Sequence, residues 1–320
     1  MTMTERTYRN REPLDPEIRA LFDQTLAARE ANPRVLDAAV MRAGEPLIEA
    51  FFNIGAPAVA IERQIAIPGP AGEIPAAVHA PAGEGLPVIL YAHGGGYCVM
   101  STRTHAKVTK ELANGVGAVV VSIDYLLAPE HPHPAGIDDC VAAYCWLRAN
   151  AGELGGDPSR IAMGGDSAGG GIVAAAAQRL VAAGETPDAV LINCGWLDLR
   201  MDSTSCELYL DDDPLIDREV MEYWRACYAS EPAQWSDPAV SPGLGDVAAY
   251  PPAYIVAAGI DPLCAENEAF AARLRDAGRD VTLARYAGMP HVFTYLPMIS
   301  AAPPAVQAMC AWLRGRLVGV

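Results

Sequence analysis

The chain has 320 residues, 51% of them apolar, which is enough to bury a sizeable core in one large domain or two ordinary ones. Asp and Glu total 39 against 23 Lys and Arg, a formal charge of −16, so phosphate backbones and anionic lipid surfaces are repelled and nucleic acid is not an expected partner. No run reaches 18 uninterrupted apolar residues, and the first 20 residues scatter their charges, so the expectation is no membrane span, no secretory leader and a cytoplasmic location.

Apolar positions recur at helical spacing over 16–30 and 35–52, broken at Asn32-Pro33, which predicts an N-terminal helical hairpin. From about residue 58 the texture changes. VAIERQIAIP and EIPAAVHAP read as two strands of a hairpin closed through Gly69, Pro70 and Gly72. Strand-like runs LPVILYA, AVVVSI, RIAMGG, AVLINC, AYIVAAG and VTLARY then alternate with helical segments at 105–114, 135–149, 168–183, 265–277 and 302–315. That alternation predicts an α/β fold: a mostly parallel central sheet flanked by helices on both faces. The stretch from about 198 to 235 breaks the rhythm with an acidic loop and a helix beginning near Asp217, read as an insertion packing against the N-terminal hairpin. The chain therefore divides into a helical cap segment at 1–55 and an α/β domain at 56–320 that carries the insertion. Asp211, Asp212 and Asp213 lack a spaced ligand series and read as a solvated loop, and the eight scattered cysteines read as reduced core residues, so no metal is expected.

Gly165-Asp166-Ser167-Ala168-Gly169 lies between an apolar strand and an alanine-rich helix, where small residues let the chain turn sharply and lift a serine hydroxyl above the sheet edge. His93-Gly94-Gly95-Gly96 follows another strand. Backbone amides there, unhindered by side chains, can face an oxygen that becomes negative during acyl transfer; Gly94, Gly95 and Ala168 are the candidate donors, each typically worth ~3 kcal/mol in the transition state. A serine needs a base. His93 belongs to the glycine loop, His131 and His133 sit among prolines, His79 lies in an early strand and His105 opens a helix; His291 follows the last strand, at the end that carries the elbow. Asp261 comes between serine and histidine at another strand end and is the candidate acid, with Glu266 its rival. His93, Gly96, Asp166 and Glu266 are expected in support. Tyr97, Trp196, Leu197, Tyr209, Tyr223 and Trp224 are candidates to line a pocket, though each fits ordinary core packing as well.

The segments YAHGGGY at 91–97, SIDYLLAPEHPHPAGIDD at 122–139, GGDPSRIAMGGDSAGG at 155–170, VSPGLGD at 240–246, the run 250–278 and YAGMPHVF at 286–293, in that order, resemble the bacterial hormone-sensitive-lipase-like esterases of family IV, in their G-D-S-A-G branch. The resemblance covers roughly residue 60 to the C-terminus. It implies the α/β-hydrolase fold with a helical cap, and a serine carboxylesterase that cleaves short- to medium-chain esters of small molecules without a cofactor. It also implies Ser167 as nucleophile, Asp261 as acid, His291 as base, Gly94, Gly95 and Ala168 as oxyanion donors, and His93 as support for the glycine loop. A homodimer is compatible with it. The same residues could serve an amidase, formamidase or lactonase. A non-catalytic ligand-binding receptor, like the plant gibberellin receptors that resemble this family, would lack the histidine, which is present here. The sequence departs from the family pattern at Leu126, Gly171, Ala265 and Val292, where arginine, asparagine, an acidic residue and glycine are usual.

Overall fold

The computed structural model describes residues 16–211 and 213–319. Its sheet begins with β1 (Ile61–Gly69) and β2 (Gly72–Ala80), an antiparallel pair whose register sets Gly69 opposite Gly72 across a two-residue turn. Six more strands follow: β3 (Leu86–Ala92), β4 (Val119–Ile123), β5 (Gly156–Asp166), β6 (Ala189–Asn193), β7 (Ala253–Ala258) and β8 (Val281–Tyr286). The order across the sheet is β1-β2-β4-β3-β5-β6-β7-β8; β2 runs antiparallel to both neighbours, and from β4 to β8 every pairing is parallel.

Strands covered on both faces must be apolar throughout, and β4, β6 and β7 are buried at every position. Alternate residues serve opposite faces: Val88, Leu90 and Ala92 of β3 enter one apolar cluster, Ile89 and Tyr91 the other. The first cluster is closed by α5 (Ala135–Asn150), α6 (Ser167–Ala182) and α9 (Cys264–Asp276), the second by α4 (Ala106–Leu112) and α10 (Ala302–Leu317). Since the strands from β3 to β8 run in one direction, the segments leaving β3, β5, β7 and β8 emerge along one rim, where ligands of open α/β sheets gather.

Over this rim lie two groups of helices. The N-terminal group is α1 (Pro16–Ala31), α2 (Ala38–Ala43) and α3 (Glu45–Phe52); the helix anticipated over 35–52 is interrupted at Gly44. The second group is α7 (Thr204–Tyr209) and α8 (Arg218–Tyr228), whose caps Ser203 and Asp217 accept from Cys206 N and Val220 N. Asp217 also pairs with Arg29, its Oδ1 lies 3.4 Å from Arg34, and the Ala38 amide donates to the Tyr223 hydroxyl at 2.8 Å. Arg42 ties α2 to the sheet domain, donating to Glu130 with both Nη atoms and to the carbonyls of Cys98 and Ala128. The acidic triplet is not uniformly solvated: Asp211 pairs with Arg218, but Asp213 is buried, with its Oδ1 accepting from Leu215 N and Ile216 N, and Asp212 lies outside the described residues. All eight cysteines are free thiols, and no helix among the described residues is long and apolar enough to cross a membrane.

Candidate active site

Ser167 opens α6 directly after β5, with φ 51, a left-handed conformation unusual for a residue with a side chain. Such a turn is possible only where its neighbours stay small. A Cβ on Gly165 would stand 2.5 Å from the Gly169 oxygen, and one on Gly169 would stand 2.1 Å from the Ala92 oxygen and 2.5 Å from that of His93. The serine turn therefore rests directly on the backbone leaving β3.

Two other strand ends complete the arrangement. His291, five residues beyond β8, sets Nε2 2.9 Å from Ser167 Oγ, and its Nδ1 lies 2.8 Å from Asp261 Oδ2. With Nδ1–H donating to the carboxylate, Nε2 keeps a lone pair for the serine proton. Asp261 is fully buried just past β7, and its Oδ1 accepts from Leu263 N at 2.8 Å. Burial alone would push the His291 imidazole down; the Asp261 charge and hydrogen bond outweigh it and hold the ring above its ordinary value. The structure sets Glu266 to a different task. Its Oε1 accepts from Leu197 N at 2.5 Å and Asp198 N at 3.2 Å, fastening the loop after β6, and burial holds its carboxyl well above the usual range.

The glycine loop is held from below. His93 is buried, stacks on Tyr125 with ring centroids 4.5 Å apart, and donates through Nδ1 to the Gly94 carbonyl at 2.7 Å. Burial, then the proximity of His105, lowers its ring to about 4, so it is neutral. The Gly94 amide donates to Asp166 Oδ1 at 3.2 Å, so of the three candidate oxyanion donors it is the one already committed, while the N–H groups of Gly95 and Ala168 donate to no partner among the described residues. Gly95, at φ 115, would bring a Cβ within 2.1 Å of the Val99 oxygen, and Gly96, at φ 59, within 2.1 Å of the Trp224 ring.

Beneath this loop lies Asp166, expected in support from the sequence, but sequence reasoning passed over its partners Tyr91, His105 and Tyr295. Asp166 accepts from Tyr91 at 2.9 Å and sits 3.3 Å from His105 Nε2, and the Tyr91 and Tyr295 hydroxyls are 2.5 Å apart. Burial would raise the Asp166 carboxyl, but His105 and the hydroxyl donors pull it below its ordinary value, so it stays a carboxylate under the serine turn. The available signal was the histidine that opens a helix soon after the glycine loop, 61 residues ahead of its partner.

The profile of the alpha/beta hydrolase fold family matches residues 89–295. The chain belongs to that family. Carboxylesterase NlhH of Mycobacterium tuberculosis is 40% identical over 232 residues, 70% of this chain and 71% of that one; Esterase LipI of the same organism is 36% identical over 238 residues, 73% and 74% of the two chains. Among solved structures, a hyperthermophilic esterase from Pyrobaculum calidifontis superposes with a TM-score of 0.90 at 33% identity, covering 95% of this chain and 98% of that one. An ester-hydrolase from the metagenome of Lake Arreo, complexed with a derivative of bipyridine phosphonate, gives 0.89 at 34% identity, covering 96% and 100%. The motif-level likeness to the hormone-sensitive-lipase-like esterases thus reflects membership of this α/β-hydrolase family.

Two departures from the α/β-hydrolase family pattern have local reasons. At Gly171 a Cβ would meet the Trp196 oxygen at 2.4 Å and the Tyr97 hydroxyl at 2.7 Å; Tyr97 donates to that same carbonyl at 3.2 Å and fills the place of a longer side chain. Val292 stands at φ 45, ψ 36, which explains why glycine is usual there and leaves this branched residue strained. Leu126 and Ala265 present only backbone amides to their neighbours, Asp139 Oδ2 and Ser205 Oγ.

Ser167 and His291 face a cavity of about 600 Å³. Its walls include Leu21, Phe51 and Phe52 from the N-terminal helices, Pro214, Leu215, Ile216 and Trp224 from the 198–235 stretch, and Met100, Val292, Leu296 and Met298 from the rim. Of the six aromatic and aliphatic candidates from the sequence, Trp224 alone lines it. Tyr97 is stacked on Tyr228 at 3.8 Å, Trp196, Leu197 and Tyr209 are buried in the core, and Tyr223 holds the Ala38 amide. Their hydrophobicity is used for packing instead.

Proposed function

We propose that this α/β hydrolase is a serine carboxylesterase that cleaves short- to medium-chain esters through an acyl-enzyme on Ser167. The observation that carries the reading is the continuous hydrogen-bonded line from Asp261 through His291 to Ser167 Oγ on the floor of an apolar cavity. As Oγ attacks the ester carbonyl, His291 Nε2 takes its proton, and Asp261 stabilises the imidazolium that forms. The carbonyl oxygen, now negative, is received by the free amides of Gly95 and Ala168, while Gly94 keeps its bond to Asp166 and so fixes the loop. His291 returns the proton to the departing alcohol, and water repeats the attack on the acyl-enzyme. Each proton and charge is handled by these side chains and amides, so the reaction calls on no cofactor. The names of the relatives, carboxylesterase and esterase, favour an ester over an amide or lactone.

We place a cap over the site, made by α1–α3 with α7 and α8, supported by the cavity wall that α1, α3, α8 and the turn at 214–216 supply. The proposal includes a cytoplasmic location, which the free thiols suit because a reducing compartment keeps them so. A fluorophosphonate tests the core of the reading: it is expected to label one serine, Ser167, with parallel loss of turnover on an activated ester. Esterase activity that survives complete labelling, or that persists in Ser167→Ala, would refute it.

A further inference from the structure

Among the described residues lining the cavity, Arg34 is the one lysine or arginine. It stands in the link between α1 and α2 with its side chain 23% exposed. Its contacts are long: Nη1 lies 3.4 Å from Asp217 Oδ1 and Nη2 3.5 Å from the Leu215 carbonyl, at the outer limit of a hydrogen bond. Asp217 is already occupied, with Oδ2 on Arg29 and Oδ1 accepting from Val220 N at 2.9 Å as the cap of α8. The other carboxylates that act on Arg34 are Glu219 and Asp213, and Asp213 gives its Oδ1 to the Leu215 and Ile216 amides. A guanidinium carries five N–H donors in a planar fork that matches a carboxylate. Here that fork is largely withdrawn from water, loosely paired, and set in a wall that is otherwise mostly apolar, a costly arrangement unless a ligand brings the missing acceptor.

We propose that Arg34 is a specificity-determining residue that receives a carboxylate carried by the substrate, so that the preferred substrates are half-esters of dicarboxylic acids. This deepens the esterase reading and rests on it. A phosphate fits the site less well, since no second lysine or arginine among the described residues lines the cavity to meet its further charge. The net charge of −16 opposes the approach of any anion, so the benefit lies in the bound complex and not in capture from a distance.

The test compares p-nitrophenyl esters of neutral acids (butyrate, hexanoate) with p-nitrophenyl half-esters of glutarate, adipate and suberate, in wild type, Arg34→Gln and Arg34→Lys. The readout is the charged-to-neutral ratio of kcat/KM, in which any general loss of activity cancels. For the best-fitting chain length that ratio is expected to fall about tenfold in Arg34→Gln, as befits a charge-assisted hydrogen bond, and to recover partly in Arg34→Lys. Salt screens both the Arg34 contact and the repulsion from the net charge of −16, so the ratio of wild type is divided by that of Arg34→Gln at each salt concentration, and this quotient is expected to fall as salt rises from about 0.02 to 0.5 M. A ratio that moves less than about twofold in Arg34→Gln at every chain length, or a quotient of wild type over Arg34→Gln that salt leaves unchanged, would overturn the assignment while neutral-ester turnover left the esterase reading standing. Wild type inert on every ester would end both.

Discussion

The rim of the sheet and the helical roof above it hold their side chains by different means. At the rim, Ser167, Asp261 and His291 each sit within five residues of a strand end, and backbone packing leaves no slack, as the close approach of Gly165, Gly169 and Gly95 to neighbouring carbonyls shows. In the roof, Arg34, Phe51, Leu215 and Trp224 stand on helices and links held to one another by side-chain contacts: two arginines on Asp217, one amide on the Tyr223 hydroxyl. The difference divides the labour. A small misplacement of a reacting group is costly, so on the proposed reading the chemistry belongs on the sheet and the choice of substrate on the helices above it.

The comparison is tested most severely at the rim. His291→Asn and Asp261→Asn are each expected to lower kcat by about 10⁴-fold, against less than about tenfold for Glu266→Gln, which keeps an acceptor for the Leu197 and Asp198 amides. Steady-state kinetics on one activated ester decides this, and a larger loss in Glu266→Gln would break the assignment of the acid. Where rim meets roof, Gly96→Ala forces a methyl into the Trp224 ring and is expected to cost about 2–3 kcal/mol in urea unfolding, with part regained in Gly96→Ala/Trp224→Ala. No recovery would mean that the strain is wholly in the backbone at φ 59.

Two pH effects follow, with definite signs. Asp261 favours the protonated His291 ring, yet the base must be neutral, so kcat/KM is expected to rise with pH through a midpoint above the ordinary imidazole value of ~6.5. The stability gained from that pair is complete below the unfolded value and fades as pH climbs through the raised one. Asp213 lies in the roof and is pushed up to about 6 by burial, chiefly, despite the Ile216 and Leu215 amides. Its raised value likewise favours the fold at low pH and costs stability above about 6. Asp213→Asn is therefore expected to raise Tm at pH 8, a gain that vanishes in thermal melts as pH falls from about 6 toward 4. The smallest effect belongs to Asp217→Ala, which removes a helix cap and the partner of Arg29: about 1 kcal/mol of stability, with KM moved more than kcat.

What could be read ahead of the structure follows the same division. The alternating strands and helices, the elbow around Ser167 and the strand-end positions of Asp261 and His291 are local patterns, each spanning a handful of residues. The cavity wall is not local. Whether Tyr97 or Phe51 faces the substrate depends on where α1–α3 come to rest over the sheet, which no periodicity encodes, and Tyr97 is drawn instead onto Tyr228. Asp211 and Asp213 look alike in sequence, yet one meets Arg218 at the surface and the other is buried, because the turn at 214–216 folds inward. The Gly94 amide looked like a free donor until the fold brought Asp166 to it.

The contact between Gly169 and the carbonyls of Ala92 and His93 couples two parts that the reaction needs at a fixed spacing. The turn bearing the hydroxyl and the loop bearing the amides cannot drift apart or be pried open separately by a bulky guest; they shift as one rigid piece. Attempts to widen the range of accepted molecules by inserting residues into either would disturb both at once. The helices at 16–52 and 204–228, which touch this piece mainly through side chains, are the places where lengthening or shortening the chain can leave turnover intact.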